Sequence, residues 1–434
     1  MRICVLGLWH LGSVTAACLA SLGHRVVGLD FDAARIANLN EGIAPVHEPG
    51  LEDLLGQGLA SGNLRFAATA GDLINDVEVL WVACDTPVDD DDEADTESVV
   101  RQIERALAAM SADVMVLISS QLPVGSVRRL ERSAAASFPS RRLRVAYCPE
   151  NLRLGRAVSD FLHPDRIVVG VRSEVDRECL HELLSPITPS IVWMSVESAE
   201  MSKHAINAFL ATSVVFANEI AAICESVGAD AKDVERGLKT DRRIGPGAYL
   251  APGGAFAGGT LARDIRFLDR TSRDCGTIAP MLSAVLPSND AHKLWVQRKL
   301  RMLCPDLAHT TVAVWGLTYK AGTDTLRRSA SVELCDWMIR AGATIHVHDP
   351  AVKNLPERWG AAVTRYDDPV AAVDGAHALV MATEWPEYRA IEAEQLLRRT
   401  ERLVVLDANR FMSHLATAGE RVTYFAVGMP GKVL

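Results

Sequence analysis

Short β-branched runs alternate with helix-period segments along the first half of this chain, and after Pro305 the same alternation begins again. Strands are expected at Arg2–Leu6, 25–30, 77–83, 114–119, 144–148 and 166–169, with helices over 13–22, 96–110 and 127–137 between them. That rhythm predicts a parallel, doubly wound sheet with right-handed crossovers. The restart brings further strand-like segments at Thr311–Trp315, Thr344–His348, 378–382 and Leu403–Asp407, and a helix over 331–340. Between the two halves, residues 196–227 contain no proline and no glycine, and apolar residues recur at helical spacing through Ala199, Ile206, Phe209, Leu210, Val214 and Ala217. Such a helix, about 45 Å long at roughly 1.5 Å per residue, would connect two domains and offer a dimer interface. A second helical block over 281–303 closes the middle. The expected division is therefore 1–195, 196–304 and 305–434: two α/β domains flanking a helical one.

At 434 residues the chain is too long for one ordinary core. Its formal net charge of −10 argues against a general nucleic-acid binder or an anionic-membrane binder. The nine cysteines are dispersed and unpaired in spacing, which reads as reduced thiols and gives no zinc pattern. The chain opens directly on a strand-like run, so no leader is expected. No apolar run approaches the roughly 20 residues of a membrane span. A soluble, cytoplasmic protein is the expectation. The acidic run 89–93 reads as a solvated loop and not a metal site.

Gly7-Leu8-Trp9-His10-Leu11-Gly12 lies between the first strand and the first helix, and Asp30 ends the next strand. Two glycines would suit any βαβ turn. With an acid at the end of the second strand, they place a pyrophosphate on a helix N-terminus and the acid on a ribose. Asp30 favours NAD over NADP, because a 2′-phosphate would meet its charge. Trp9 stands where the middle glycine of such a turn is expected. Lys203 and Asn207 are four apart on the expected long helix and share a face.

The ordered series of motifs resembles the UDP-glucose/GDP-mannose dehydrogenase family. Trp81-Val-Ala-Cys-Asp-Thr86-Pro87 looks like the family's turn along the cofactor. Ser119-Ser-Gln121-Leu-Pro-Val-Gly125 is similar to its Ser-Thr-Val-Pro-Val/Pro-Gly turn, with Gln121 in the place of a catalytic-site threonine. Pro149-Glu150-Asn151-Leu152-Arg153-Leu154-Gly155 resembles Pro-Glu-Phe-Leu-Arg-Glu-Gly. Glu150 matches, whereas Leu154, read as a buried leucine, replaces a glutamate that manages water and protons. The loop running from Asp241 through Arg243, Tyr249, Phe256 and Gly258 to Thr260-Leu-Ala-Arg263-Asp264 is similar to the active-site loop, in which a cysteine would fill the place of Thr260. A one-residue slip would put Leu261 there instead, and neither register supplies a thiol. Trp315-Gly-Leu-Thr-Tyr319-Lys320 through Arg327, and Thr383-Glu-Trp385, match further family signatures.

The resemblance implies two Rossmann-like domains joined by a helical one, with NAD on the first and a UDP- or GDP-sugar on the last, in a homodimer. It implies that Lys203, Asn207 and Asp264 handle the reacting hydroxyl, with Thr260, Gln121 and Glu150 beside them. Arg263 would join Thr86, Pro87, Asp30 and the glycine turn at the cofactor. Glu150, Asn151, Leu152, Lys203, Asn207, Arg243, Tyr249, Gly258, Lys320 and Arg327 would contact the sugar nucleotide, Arg243 from the neighbouring subunit. Family members oxidise a sugar carbon twice through a thioester, and a threonine hydroxyl is a poor substitute for a thiolate. The expectation is a single two-electron oxidation. Full oxidation without a thioester and a non-catalytic sugar-nucleotide binder stay open.

Overall fold

A computed structural model describes residues 1–87, 95–110, 114–138, 143–150, 152–257, 259–327 and 329–430. The chain divides into two compact units, Met1–Ile206 and Asn207–Leu434. In the first unit, the strands are β1 (Arg2–Leu6), β2 (Arg25–Leu29), β3 (Leu64–Ala67), β4 (Val79–Val82), β5 (Met115–Ile118), β6 (Arg144–Tyr147), β7 (Ile167–Val171) and β8 (Ile191–Ser195). They form one sheet in the order β3-β2-β1-β4-β5-β6-β7-β8. Along β1 and β4, Ile3, Val5, Val79 and Trp81 enter one apolar cluster, and Cys4, Leu6, Leu80 and Val82 enter another. Side chains alternate across a strand, so these near-continuous apolar runs feed a core on each face.

The second unit carries β9 (Thr311–Trp315), β10 (Thr344–His348), β11 (Val363–Arg365), β12 (Ala378–Met381), β13 (Leu403–Asp407) and β14 (Val422–Phe425). Their order, β11-β10-β9-β12-β13-β14, repeats that of β1–β6, and every neighbouring pair is parallel. Five helices lie ahead of this sheet: Val196–Val227, Ala231–Thr240, Thr260–Asp274, Pro280–Lys293 and Trp295–Leu303. The protein is thus α/β, with two doubly wound sheets and a helical middle entered by one 32-residue helix.

Three expectations need correction. The first sheet is parallel through β6, but β7 runs antiparallel to it, meeting at Tyr147 and Gly170, and β8 follows β7 in parallel. Among the described residues between β6 and β7 the one helix, Ala157–Leu162, is too short to return the chain. The block 281–303 is two helices broken at Leu294. Finally, Val196–Val227 is long and apolar enough by length and composition to cross a bilayer. Its apolar content divides between residues buried within each unit, such as Ala199, Ala208, Ala211 and Ala221, and an exposed stripe at Phe209, Phe216, Ile223 and Val227.

The start of this long helix is tied to the first sheet by charge. Arg172, following β7, grips Glu131 at 3.0 Å and Glu197 at 2.7 Å, and Arg128 adds a contact to Glu197 at 2.7 Å. Hydrogen bonding to Arg172, outweighing desolvation and aided by Arg128, holds the Glu197 carboxyl at about 2, from an ordinary 4.5. A carboxyl depressed on folding stabilises the protein above its unfolded value and loses that effect as pH falls toward the folded one. Because the cluster is partly solvated, its contribution is on the order of 1 kcal/mol. Glu197→Gln should therefore lower stability at neutral pH by that amount, with the gap to the parent protein closing between pH 4.5 and 2 in urea titrations.

Candidate active site

The exit of β1 shows why the turn carries its glycines. Gly7 has φ +86°, and a Cβ there would lie 2.6 Å from Cys84 Cα; a Cβ on Gly12 would lie 1.7 Å from Gly7 O. The turn is pressed against the β4 exit and against its own helix, so no side chain fits at either place. Trp9 is different. Its φ of −72° and ψ of −151° suit any residue, and its indole is 43% exposed, with the Arg35 guanidinium 5.2 Å from its centroid. The side chain of Leu8 is buried in the core, while its N–H donates to Asp30 Oδ2 at 2.7 Å. Asp30 also accepts from Asp32 N at 2.9 Å and Arg35 Nη1 at 2.6 Å. Ser13 N makes the first bond of the helix His10–Ser21, to Trp9 O at 3.0 Å, so the amides of His10, Leu11 and Gly12 precede the intrahelical ladder. Amides at a helix start and a buried acid 2.7 Å from the turn fit a dinucleotide: pyrophosphate on the former, ribose hydroxyls on the latter.

The neighbouring strand exits are fastened to one another. Thr86 Oγ1 donates to Gln121 O at 2.7 Å, so its hydroxyl joins the exits of β4 and β5, and Pro87 follows it. Trp81 Nε1 donates to Ser119 Oγ at 2.9 Å, which in turn donates to Cys148 O at 2.7 Å. The turn after Gln121 is held by the long helix. The buried Glu200 accepts from Gly125 N at 2.7 Å and Val127 N at 3.0 Å, and His204 Nε2 donates to Leu122 O at 2.8 Å. Burial, partly offset by these two amides, pushes the Glu200 carboxyl above its ordinary range. One turn along, the buried Lys203 donates to Glu150 O at 2.6 Å, with the Glu150 carboxylate 3.8 Å away. Glu150 Oε2 accepts from Leu152 N at 2.8 Å. Leu154 is not buried, as the sequence suggested, but 47% exposed, because it sits on a surface turn ahead of Gly155 at φ +85°. It still has no proton to give.

In the second unit, Asn207 donates through Nδ2 to Asp264, and both are buried. Thr260 opens the helix Thr260–Asp274 from Gly259 and is exposed; Asp264 lies one turn on. Ala262, Ile265 and Leu268 are buried, and the latter two cluster with Ala208, Ala211 and Val215 of the long helix, which turns Asp264 toward Asn207. Leu261 packs on this cluster, so the slipped register would place its nucleophile in apolar packing. Arg263 is half-buried beside Asp264.

The loop before Thr260 is held by its backbone. Asn218 Oδ1 accepts from Gly253 N at 3.0 Å, His292 Nε2 donates to Gly253 O at 2.8 Å, and Asn409 Oδ1 accepts from Gly254 N at 2.6 Å. Asn289 takes Phe256 N at 3.0 Å and gives to Phe256 O at 2.8 Å.

Arg243 and Tyr249 are exposed, and Arg243 pairs with Asp241 at 2.7 Å. Lys320 and Arg327 are exposed beyond β9, where Tyr319 Oη lies 3.7 Å from the place a Cβ on Gly259 would take. Asn151, Gly258 and the acidic run 89–93 lie outside the described residues. Sequence reasoning missed Glu48, Glu200, His204, Asn218, Asn289, His292 and Asn409. For Glu200 and His204 there was a signal: with Lys203 and Asn207 they make a polar stripe at helical spacing on an apolar helix.

The exit of β9 repeats that of β1. Gly316 has φ +90°, its N–H donates to His348 O at 2.8 Å, and Leu317 N donates to Asp349 Oδ2 at 2.7 Å. There, however, Asp349 also receives Thr318 N, Thr318 Oγ1, Trp385 Nε1, Ala351 N and Val352 N.

Fold and site together define a dinucleotide-dependent oxidoreductase with a second, non-dinucleotide Rossmann-like domain. Residues 1–188, 197–291 and 313–414 match, in turn, the NAD binding, central and UDP binding domains of one family, UDP-glucose/GDP-mannose dehydrogenase. The chain is 34% identical to UDP-glucose 6-dehydrogenase of Pseudomonas aeruginosa over 99% of its own length and 98% of the relative's. It is 32% identical to UDP-glucose 6-dehydrogenase of Rhizobium meliloti, over 99% and 100%. A solved UDP-glucose dehydrogenase from Pyrobaculum islandicum superposes with a TM-score of 0.86 at 30% identity, covering 99% of this chain and 98% of that one. The chain belongs to the UDP-glucose/GDP-mannose dehydrogenase family and is an NAD-dependent oxidoreductase.

Asn289→Ala should strip both partners from Phe256 and cost about 2–4 kcal/mol in urea unfolding, since each buried group left unpaired costs roughly 1–3 kcal/mol. Amide exchange at Phe256 should quicken in the same variant.

Proposed function

We propose that this protein oxidises a UDP-sugar once, releasing an aldehyde or ketone and one NADH. The observation that carries this reading is Thr260 at the start of its helix, one turn before the Asn207–Asp264 pair. The alcohol-handling groups are kept and the sulfur is not. When bound, NAD accepts the hydride from the carbinol carbon. Lys203, desolvated on its helix, would stabilise the alkoxide as the hydroxyl proton leaves through water, while Asn207, oriented by Asp264, would hold the same oxygen. Gln121 and Glu150 would orient water and sugar beside them. Thr86 and Pro87 would lie along the cofactor with Arg263. Leu152, Tyr249, Lys320 and Arg327 would engage the sugar nucleotide with Asn151 and Gly258. Without a base beside it a threonine hydroxyl does not form a stable covalent adduct that could yield a second hydride.

The domain division 1–195, 196–304 and 305–434 goes with this reading, as does a homodimer. Phe209, Phe216 and Ile223 recur every seven residues on the exposed face of the long helix, an apolar stripe suited to a second copy of itself. Arg243, exposed and paired only locally with Asp241, would then serve the partner's sugar. Nine free cysteines, most of them buried, fit a reducing cytoplasm.

Counting NADH against UDP-glucose consumed should give a ratio of one, with iodoacetamide leaving the rate unchanged. A ratio of two would mean that the aldehyde hydrate is oxidised as well. No NADH, with UDP-sugar still bound, would mark a binding protein. Phe209→Asp should sediment as a monomer and lose most of its turnover if the partner supplies Arg243.

A further inference from the structure

The side chains of His10 and Glu48 have no part in the chemistry above, yet they form a heavily bonded buried contact beside the cofactor turn. Glu48 lies between two helices of the first unit and is buried. A buried carboxylate is costly unless donors surround it. Here three do, and they come from two separate segments. His10 Nε2 donates to Oε2 at 2.9 Å, Gly155 N to the same oxygen at 2.8 Å, and Ala157 N to Oε1 at 2.8 Å. Despite burial, these three donors hold the Glu48 carboxyl below its ordinary range, so it stays an anion.

The two segments are the ones that matter. His10 is the first residue of the helix whose opening amides face the dinucleotide. Gly155 and Ala157 close the turn that begins at Glu150, where Leu152 N bonds the Glu150 carboxylate and Lys203 bonds its carbonyl. A diphosphate seated on the amides of His10, Leu11 and Gly12 would fix the first helical turn. With that turn it fixes the imidazole that holds Glu48, and through Glu48 the peptide units of Gly155 and Ala157. We propose that His10 and Glu48 are positioning residues that couple occupancy of the dinucleotide turn to the setting of the Glu150 loop. Coupling of this kind is reciprocal, so an ordered Glu150 loop also favours the cofactor. The inference rests on NAD binding by this domain and on a role for Glu150, but not on the number of hydrides removed.

The test needs no turnover. Hydrogen exchange by mass spectrometry is followed in peptides covering 148–160, with and without saturating NADH, in the full-length protein. In the parent protein NADH should slow exchange at residues 152–157 several-fold. His10→Phe removes one arm only, at a partly exposed ring. It should still bind NADH, about three- to tenfold more weakly, because Asp30 and the turn amides remain. Its Glu150 loop should no longer respond to NADH. Glu48→Gln should behave likewise, with its thermal midpoint recorded to separate lost coupling from unfolding. Unchanged NADH-dependent slowing in His10→Phe, or none in the parent protein, overturns the proposal.

Discussion

Polar groups buried on one apolar helix must find partners, and several find them on distant segments of their own unit. Along Val196–Val227, Glu200 takes the amides of Gly125 and Val127, Lys203 takes the carbonyl of Glu150, His204 that of Leu122, Asn207 the carboxylate of Asp264, and Asn218 the amide of Gly253. Each bond is needed because an unpaired buried polar group costs more than a made bond gains. Within each unit the helix therefore fixes segments distant in sequence: Leu122–Val127 and Glu150 in the first, Asp264 and Gly253 in the second.

This arrangement separates two kinds of requirement. The sheets demand volume and apolarity, which many sequences meet. The site demands particular donors and acceptors at the strand exits, and there the chain is specific. Thr260 is exposed, and Asp264, one turn on, is the residue that bonds back to the long helix.

Much of the fold was legible because periodicity carries it. The helix Val196–Val227 was read to its ends, and β1, β9, β10 and β13 likewise, since proline-free or β-branched runs with clear boundaries leave few alternatives. Short strands such as β3, β11 and β14 were not seen, being three or four residues with little pattern. The reversal at β7 was hidden because an apolar run reads alike in either direction. In the site, Asp30, Lys203 and Asn207 stood out by context. Glu48, Asn289 and Asn409 did not: their role depends on backbone groups as many as 155 residues away, which no local pattern encodes. At Trp9, where a glycine was expected so that a pyrophosphate could approach the backbone, φ and ψ suit any residue.

The second sheet repeats the order of β1–β6 and their opening turn, but the two acids meet different fates. Asp30 takes three donors from the protein, whereas Asp349 takes six. A carboxylate offers about four lone-pair positions. An adenosine reaching Asp349 would find every acceptor claimed, one of them by the indole of Trp385. One acid of a repeated architecture can thus be withdrawn from ligand binding by saturating its side chain, with the backbone around it left as it was.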